Sequence, residues 1–319
     1  MSSMIKVDSI SKSFNTKVKK GFLKSEMKTK QAVDGIGFEV AQGELVGYIG
    51  PNGAGKSTTI KMLTGILLPD SGSVSVDGID PFAKRKENGR NIGVIFGQRS
   101  QLWWHLRLDD TFKLFKHMYD IPTARYDERL NLLKNTLELD EFWHQPVRQL
   151  SLGQRMRGEL AAALLHSPKI LYLDEPTVGM DVVVKERIRE LLKVFNQQGV
   201  TVLLTTHDLD DVERLCSRVM VINHGKLLYD GTMSELRARC TADTKVTVEI
   251  DGENPVLPAL LRGLETNGRR ISFSMSRQNG EAELLAQVIR ENSVKDVVMT
   301  EPAIEEVVRS FYTGGGEEK

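Results

Sequence analysis

The most constraining feature of the chain is the run Gly50-Pro51-Asn52-Gly53-Ala54-Gly55-Lys56-Ser57, which matches GxxxxGK[ST] at every fixed position. It follows a compact apolar stretch, Glu44 to Ile49, and precedes Ser57 to Leu67, where the apolar spacing is helical. A strand that runs through glycines into a helix lets successive backbone N–H groups converge on a phosphate, backed by the positive end of the helix. In such a loop Lys56 supplies a point charge to the β- and γ-phosphates, and the Ser57 hydroxyl is a ligand for Mg²⁺. Asn52, Gly53, Ala54, Gly55 and Thr58 complete the expected cradle.

A second strong element lies downstream. Ile170 to Leu173 is a fully apolar run, as expected of a strand buried on both faces of a parallel sheet, and it delivers Asp174-Glu175 at its end. Ligands bind at the carboxyl ends of strands in open α/β sheets. Asp174 is therefore expected to hold Mg²⁺ and Glu175 to orient and deprotonate an attacking water.

Between and around these motifs strands and helices alternate, which predicts a doubly wound α/β core. Ile5–Phe14, Ala32–Val40, Asn91–Phe96, Val200–Leu204, Val219–Asn223 and Lys226–Tyr229 read as strands. Leu108 to about Leu139, broken at Ile121-Pro122, and also Lys185–Gln197 and Asp208–Leu215, read as helices. Pro69-Asp70-Ser71-Gly72 reads as a turn, and Lys17 to Lys30, with six lysines and one glutamate, as a solvated loop. Composition changes near Arg239 to Asp243. Beyond it Val246–Ile250, Ile271–Met275 and Val297–Thr300 are expected strands, and Leu257–Asn267 and Glu281–Asn292 expected helices. The predicted boundaries are 1–240 for the α/β domain, 241–312 for a small α+β domain, and 313–319 for a flexible glycine-rich tail.

Leu150-Ser151-Leu152-Gly153-Gln154, placed shortly before Asp174, resembles the signature of the ABC ATPases. The order of the other motifs is similar to that family over about residues 4 to 236. The resemblance implies a mixed-sheet core with an antiparallel β subdomain and a helical subdomain at about 99–165. It implies that Gln98 reaches Mg²⁺ and the attacking water, that His207 is a switch residue beside Glu175, and that Asp181 lies on a loop crossing a dimer interface. Phe14 corresponds to an aromatic that stacks on adenine, with Phe22 as the alternative. Ser151, Gly153 and Gln154 are expected to touch the ATP held by a second copy of the chain or by a homologous ATPase subunit. Leu152 stands where the family usually has glycine, and is expected to be tolerated if its side chain points away from the nucleotide.

The insertion after Phe14, the stretch Gln98–Trp104, the signature variant and the segment Thr300–Val307 resemble ATPase subunits of the ABC-2 drug and sodium exporter group. This implies a transmembrane permease on other chains, gripped through the stretch that contains Trp103 and Trp104. No segment approaches the length of an apolar spanning helix, and the two cysteines, Cys216 and Cys240, form no metal-binding spacing. The expectation is a cytoplasmic protein, peripheral on the inner face of the cell membrane. With 43 Lys+Arg against 43 Asp+Glu there is no global charge to recommend nucleic acid as a partner. A soluble ABC ATPase acting on a non-membrane partner, or the ATPase of an importer, is the alternative reading.

Overall fold

The computed structural model describes residues 3–19, 25–97, 100–177, 180–206, 208–239, 244–251, 255–258, 261–275, 282–300 and 307–308. The chain divides into two compact units, Met1–Met233 and Ser234–Lys319.

The first unit opens with two long strands, β1 (Ser3–Lys19) and β2 (Ser25–Ala41), followed by β3 (Leu45–Ile49) and the helix α1 (Lys56–Leu63). Next come β4 (Ser71–Val76), α2 (Arg85–Asn91), β5 (Ile92–Phe96), α3 (Leu108–Met118) and α4 (Thr123–Leu137). The signature leads into α5 (Leu152–Leu164), and β6 (Ile170–Asp174), α6 (Val182–Gln197) and β7 (Thr201–Thr205) follow. The unit closes with α7 (Leu209–Leu215), β8 (Arg218–Asn223) and β9 (Lys226–Thr232), and α8 (Met233–Arg239) carries the chain out.

Six strands form the central sheet in the order β5-β6-β7-β3-β8-β9. The first five are parallel and β9 pairs antiparallel with β8. Strands β3, β6 and β7 are buried along nearly their whole length, β3 and β6 with apolar residues and β7 with an apolar centre between two threonines, as a sheet covered on both faces requires. The β8–β9 hairpin turns at His224-Gly225, both with positive φ, which matches the right-handed twist of the two strands. A separate antiparallel sheet, β2-β1-β4, packs its inner face on the same core through Ile5, Ile10, Val33 and Val40. The expected mixed sheet, antiparallel sheet and helical segment are all present.

Two details differ from the sequence expectation in this unit. The described part of the Lys17–Lys30 stretch is no loop: the ladder continues through Lys17↔Met27 to Lys19↔Ser25, an arm extending beyond the last β4 pairing at Ser11↔Ser71. The residues at its end, 20–24, and with them Phe22, lie outside the described residues. Thr29 Oγ1 donates to Asn15 Oδ1 at 2.8 Å across this arm. Ser71–Val76 is a strand where only a turn was expected, because its SGSVSV pattern finds a partner in β1, far away in sequence.

The second unit contains β10 (Thr244–Ile250), β11 (Arg262–Asn267), β12 (Arg270–Met275), α9 (Ala282–Glu291) and β13 (Val294–Thr300). Its antiparallel sheet runs β11-β12-β10-β13, and Val246, Val248, Ile271, Phe273 and Val288 form its core. Leu257–Asn267 is not the expected helix. Gly263 sits at φ +60°, and Asn267↔Arg270 closes a tight hairpin over Gly268 at φ +62°. Glycine at the first position of a two-residue loop is the signal of a hairpin turn, and it prevails over the local leucine spacing. Most of Thr300–Val307 lies outside the described residues. No helix among the described residues is long and apolar enough to cross a membrane.

Candidate functional site

The loop 50–55 wraps between β3 and α1 as tightly as its glycines allow. A Cβ on Gly50 would lie 2.3 Å from the Ile222 carbonyl oxygen, and one on Gly55, at φ +115°, would lie 2.5 Å from the Ala32 carbonyl oxygen. Only glycine fits either place. Ala54 is buried behind the loop, where its carbonyl accepts from Gly225 N–H at 2.9 Å. The N-cap of α1 is Gly55, so no side chain caps the helix, and the early N–H groups that a helix leaves unpaired are not taken by one. Lys56 opens this helix and is 6% exposed, with Nζ donating to the carbonyls of Gly50 at 2.5 Å and Pro51 at 3.2 Å. Burial pushes the Lys56 ammonium below its usual pKa, and the nearby carboxylates of Glu175 and Asp174 oppose that shift.

A cavity of about 650 Å³ opens in front of the loop. Of the residues singled out in the sequence, Phe14, Asn52, Gly53, Gly55, Lys56, Ser57, Thr58, Asp174 and Glu175 line it. Lys30, Ala32, Lys61, Ile66, Phe96 and Gly97 line it as well, and the sequence reading missed all six. Lys30 had a signal only in the register: it is the cross-strand partner of Phe14. On a pleated sheet directly opposed side chains share a face, so both project towards the cavity.

The acidic pair arrives on β6, whose neighbours are β5 and β7. Asp174 accepts a 2.5 Å hydrogen bond from Thr205 Oγ1 at the end of β7. Glu175 has φ 56°, an uncommon conformation for a residue with a side chain, and its N–H donates to the Thr205 carbonyl at 2.9 Å. Gln98 and His207 follow the ends of β5 and β7 in the chain; both lie outside the described residues, as do Val178 and Gly179. Ser57 and Asp174 bring a hydroxyl and a carboxylate to one cavity, the donor set of a hard cation. Among the described residues no group of three or more His, Cys, Asp or Glu could hold a metal unaided.

Ser151, Gly153, Gln154 and Asp181 do not line this cavity. Ser151 caps α5: its Oγ accepts from Gln154 N–H at 3.2 Å, and Gln154 Oε1 accepts from Ser151 N–H at 2.9 Å, a reciprocal capping box. Leu152 is 42% exposed, and a Cβ on Gly153 would meet nothing within 4 Å. Asp181 caps α6 by accepting from Val184 N–H at 2.9 Å.

The family model described as ABC transporter matches residues 33–178. The linearmycin resistance ATP-binding protein LnrL of Bacillus subtilis is 33% identical over 235 residues, 74% of this chain and 75% of that protein. A daunorubicin resistance ATP-binding protein of Streptomyces coeruleorubidus is 30% identical over 285 residues, 87% of this chain and 90% of that protein. Among solved structures, an ATP-binding cassette captured as a dimer in a post-hydrolysis state with ADP and Pi superposes with a TM-score of 0.62. It is 25% identical, and the match covers 72% of this chain and 99% of that one. The glycine-rich loop, the acidic strand end and the helix-capping signature all lie in a chain that these matches place in one family: it is a member of the ABC transporter ATP-binding proteins, an ATP-binding cassette ATPase.

Proposed function

We propose that two copies of the chain close around two molecules of ATP and so drive export through separate membrane-embedded subunits of the ABC-2 type. The observation that carries this reading is the separation within one protomer of the cavity from the signature. Ser151, exposed, and Gly153, half-buried, sit at the tip of α5, and neither lines the cavity that Lys56 lines. Among the described residues nothing lies within 4 Å of where a Cβ on Gly153 would be. A second subunit placed head to tail gives the open backbone at Gly153 a use, and gives Ser151 one beyond capping its own helix.

Each residue then has one task. Phe14 offers its ring to adenine, and Lys56 and the N–H groups from Asn52 to Thr58 hold the phosphates. Ser57 and Asp174 hold Mg²⁺, with Gln98 beside them; the ion offsets the charge of the triphosphate. Glu175 takes a proton from the attacking water, and His207 steadies the γ-phosphate. Ser151 and Gly153, with Gln154 behind them, cap that phosphate from the partner's side. Asp181 sits at the dimer seam, and Leu152, exposed in the protomer, stays clear of the nucleotide.

Support for export comes from relatives whose names state resistance to linearmycin or daunorubicin, and from Nod factor export ATP-binding proteins such as that of Rhizobium sp., 34% identical over 236 residues. The protein then works on the cytoplasmic face of the membrane, held there by its permease. The test is a Glu175→Gln variant examined by size in ATP and in ADP, with co-purification in detergent. The expected result is no turnover, a stable dimer in ATP only, and capture of a membrane protein. A monomeric variant in ATP, beside a wild type that hydrolyses ATP as a monomer, would overturn the head-to-tail reading.

A further inference from the structure

Glu159 lies two turns into α5 from Ser151 and is 5% exposed. A carboxylate buried that deeply needs donors. They come from one place, the segment just after Gln98. Ser100 Oγ donates to Glu159 Oε1, and Gln101 N–H donates to Oε2 at 3.2 Å. Gln101 Nε2 donates to the Glu159 backbone carbonyl at 3.0 Å. Burial pushes the carboxyl above its usual range, and these donors pull against that rise.

Two neighbouring positions on α5 hold the same segment by other means. A Cβ on Gly158 would come within 3.1 Å of Leu102 Cδ1, so the missing side chain makes the room that Leu102 fills. One turn earlier, the Arg155 guanidinium lies over the Trp104 ring at 5.9 Å from its centre. Trp103 and Trp104 themselves are 38% and 48% exposed. An apolar residue at 159 would anchor a loop without the desolvation cost of a carboxylate. What the carboxylate adds is direction, because it fixes a hydroxyl and an N–H at set angles.

We infer that Glu159 is a positioning residue for turnover: it latches the segment from Ser100 to Trp104 onto the helix that begins at Ser151, so that the two move as one body. The inference rests on the proposed role of Ser151 over the partner's nucleotide. A shift of the helix tip is then delivered to the tryptophan pair without slack.

The test compares Glu159→Gln, Ser100→Ala and the double variant in the full-length chain. Glutamine keeps the size of the side chain but turns one acceptor into a donor facing Ser100 or Gln101. Each single variant is expected to lower kcat roughly tenfold, as small misplacements near a reacting group do. KM for ATP stays near its wild-type value, because the P-loop is untouched. The double variant loses no more than the worse single one, since both break the same contact. Amide exchange at Gln101 and Leu102 quickens while that of α1 stays slow. An unchanged kcat, losses that multiply, or a rise in KM at constant kcat would each overturn the latch. Should Glu159→Gln fail to fold, Ser100→Ala alone carries the same readouts. Glu175→Gln serves as the control: residual turnover there defeats the ATPase assignment of Glu175, whereas its loss beside an active Glu159→Gln defeats only the latch.

Discussion

Thr205 Oγ1 donates a 2.5 Å hydrogen bond to Asp174 Oδ1, and the two residues are paired in register at the ends of the parallel strands β7 and β6. One carboxylate oxygen is thereby held, while Asp174 still lines the cavity. A partner that fixes a ligand from behind commonly changes metal affinity ten- to a hundredfold when removed, so Thr205→Val should raise the Mg²⁺ concentration for half-maximal ATP turnover by roughly tenfold. A Mg²⁺ titration of the ATPase rate checks this, and an unmoved midpoint would take Asp174 out of the metal site.

Phe14 and Lys30 face each other across β1 and β2 and share the cavity wall. Stacking of a base on an aromatic ring contributes about 1–3 kcal/mol, so Phe14→Ala should weaken nucleotide binding by roughly five- to 150-fold. Lys30 is exposed, and a solvated charge contributes less, so Lys30→Ala should cost roughly two- to fivefold. The Lys30 effect should shrink as salt rises and the Phe14 effect should not. Binding of a fluorescent ATP analogue at two ionic strengths separates them.

What could be read in the sequence was whatever demands fixed residue types at fixed spacing. The cradle 50–57 and the apolar run into Asp174-Glu175 are of that kind, because each is one unbroken stretch whose residue types and spacing are set within itself. Lys30 and Glu159 are of the other kind. The first matters through a cross-strand register and the second through a loop folded back from Ser100, and neither distance is written in a local pattern. The same blindness produced the loop expected at Lys17–Lys30 and the helix expected at Leu257–Asn267. In the first a long-range ladder overrode lysine-rich composition, and in the second Gly263 and Gly268 overrode leucine spacing.

Gly50 makes a sharper prediction about the cradle. Its absent Cβ would press to 2.3 Å on the carbonyl oxygen of Ile222, which is backbone of β8 and cannot swing aside. Gly50→Ala must therefore displace the loop or the strand, at a cost of about 1–3 kcal/mol. Lower melting temperature together with loss of nucleotide binding is expected. Full binding at wild-type stability would mean that the loop is laxer than its packing implies.

His166 predicts how stability depends on acid. Its Nε2 lies 2.9 Å from the Ile92 carbonyl oxygen and its ring stacks on Tyr119 at 4.0 Å and 7°. Burial, with the charge of Arg129 adding to it, pushes its pKa down from the usual 6.5 to about 4. Below about pH 6.5 the unfolded imidazole takes a proton that the folded one refuses until about pH 4. The unfolded state therefore binds more protons in that window, and stability falls as pH drops through it, then levels off. The total from this residue is on the order of 3 kcal/mol. His166→Phe keeps a ring against Tyr119 and removes the titration. Urea unfolding at pH 7 and pH 4.5 should show a smaller acid loss in the variant than in the wild type. Equal losses would mean that acid sensitivity arises from carboxylates such as Asp70, whose pKa Lys12 and Ser13 hold down at about 2, rather than from the buried ring.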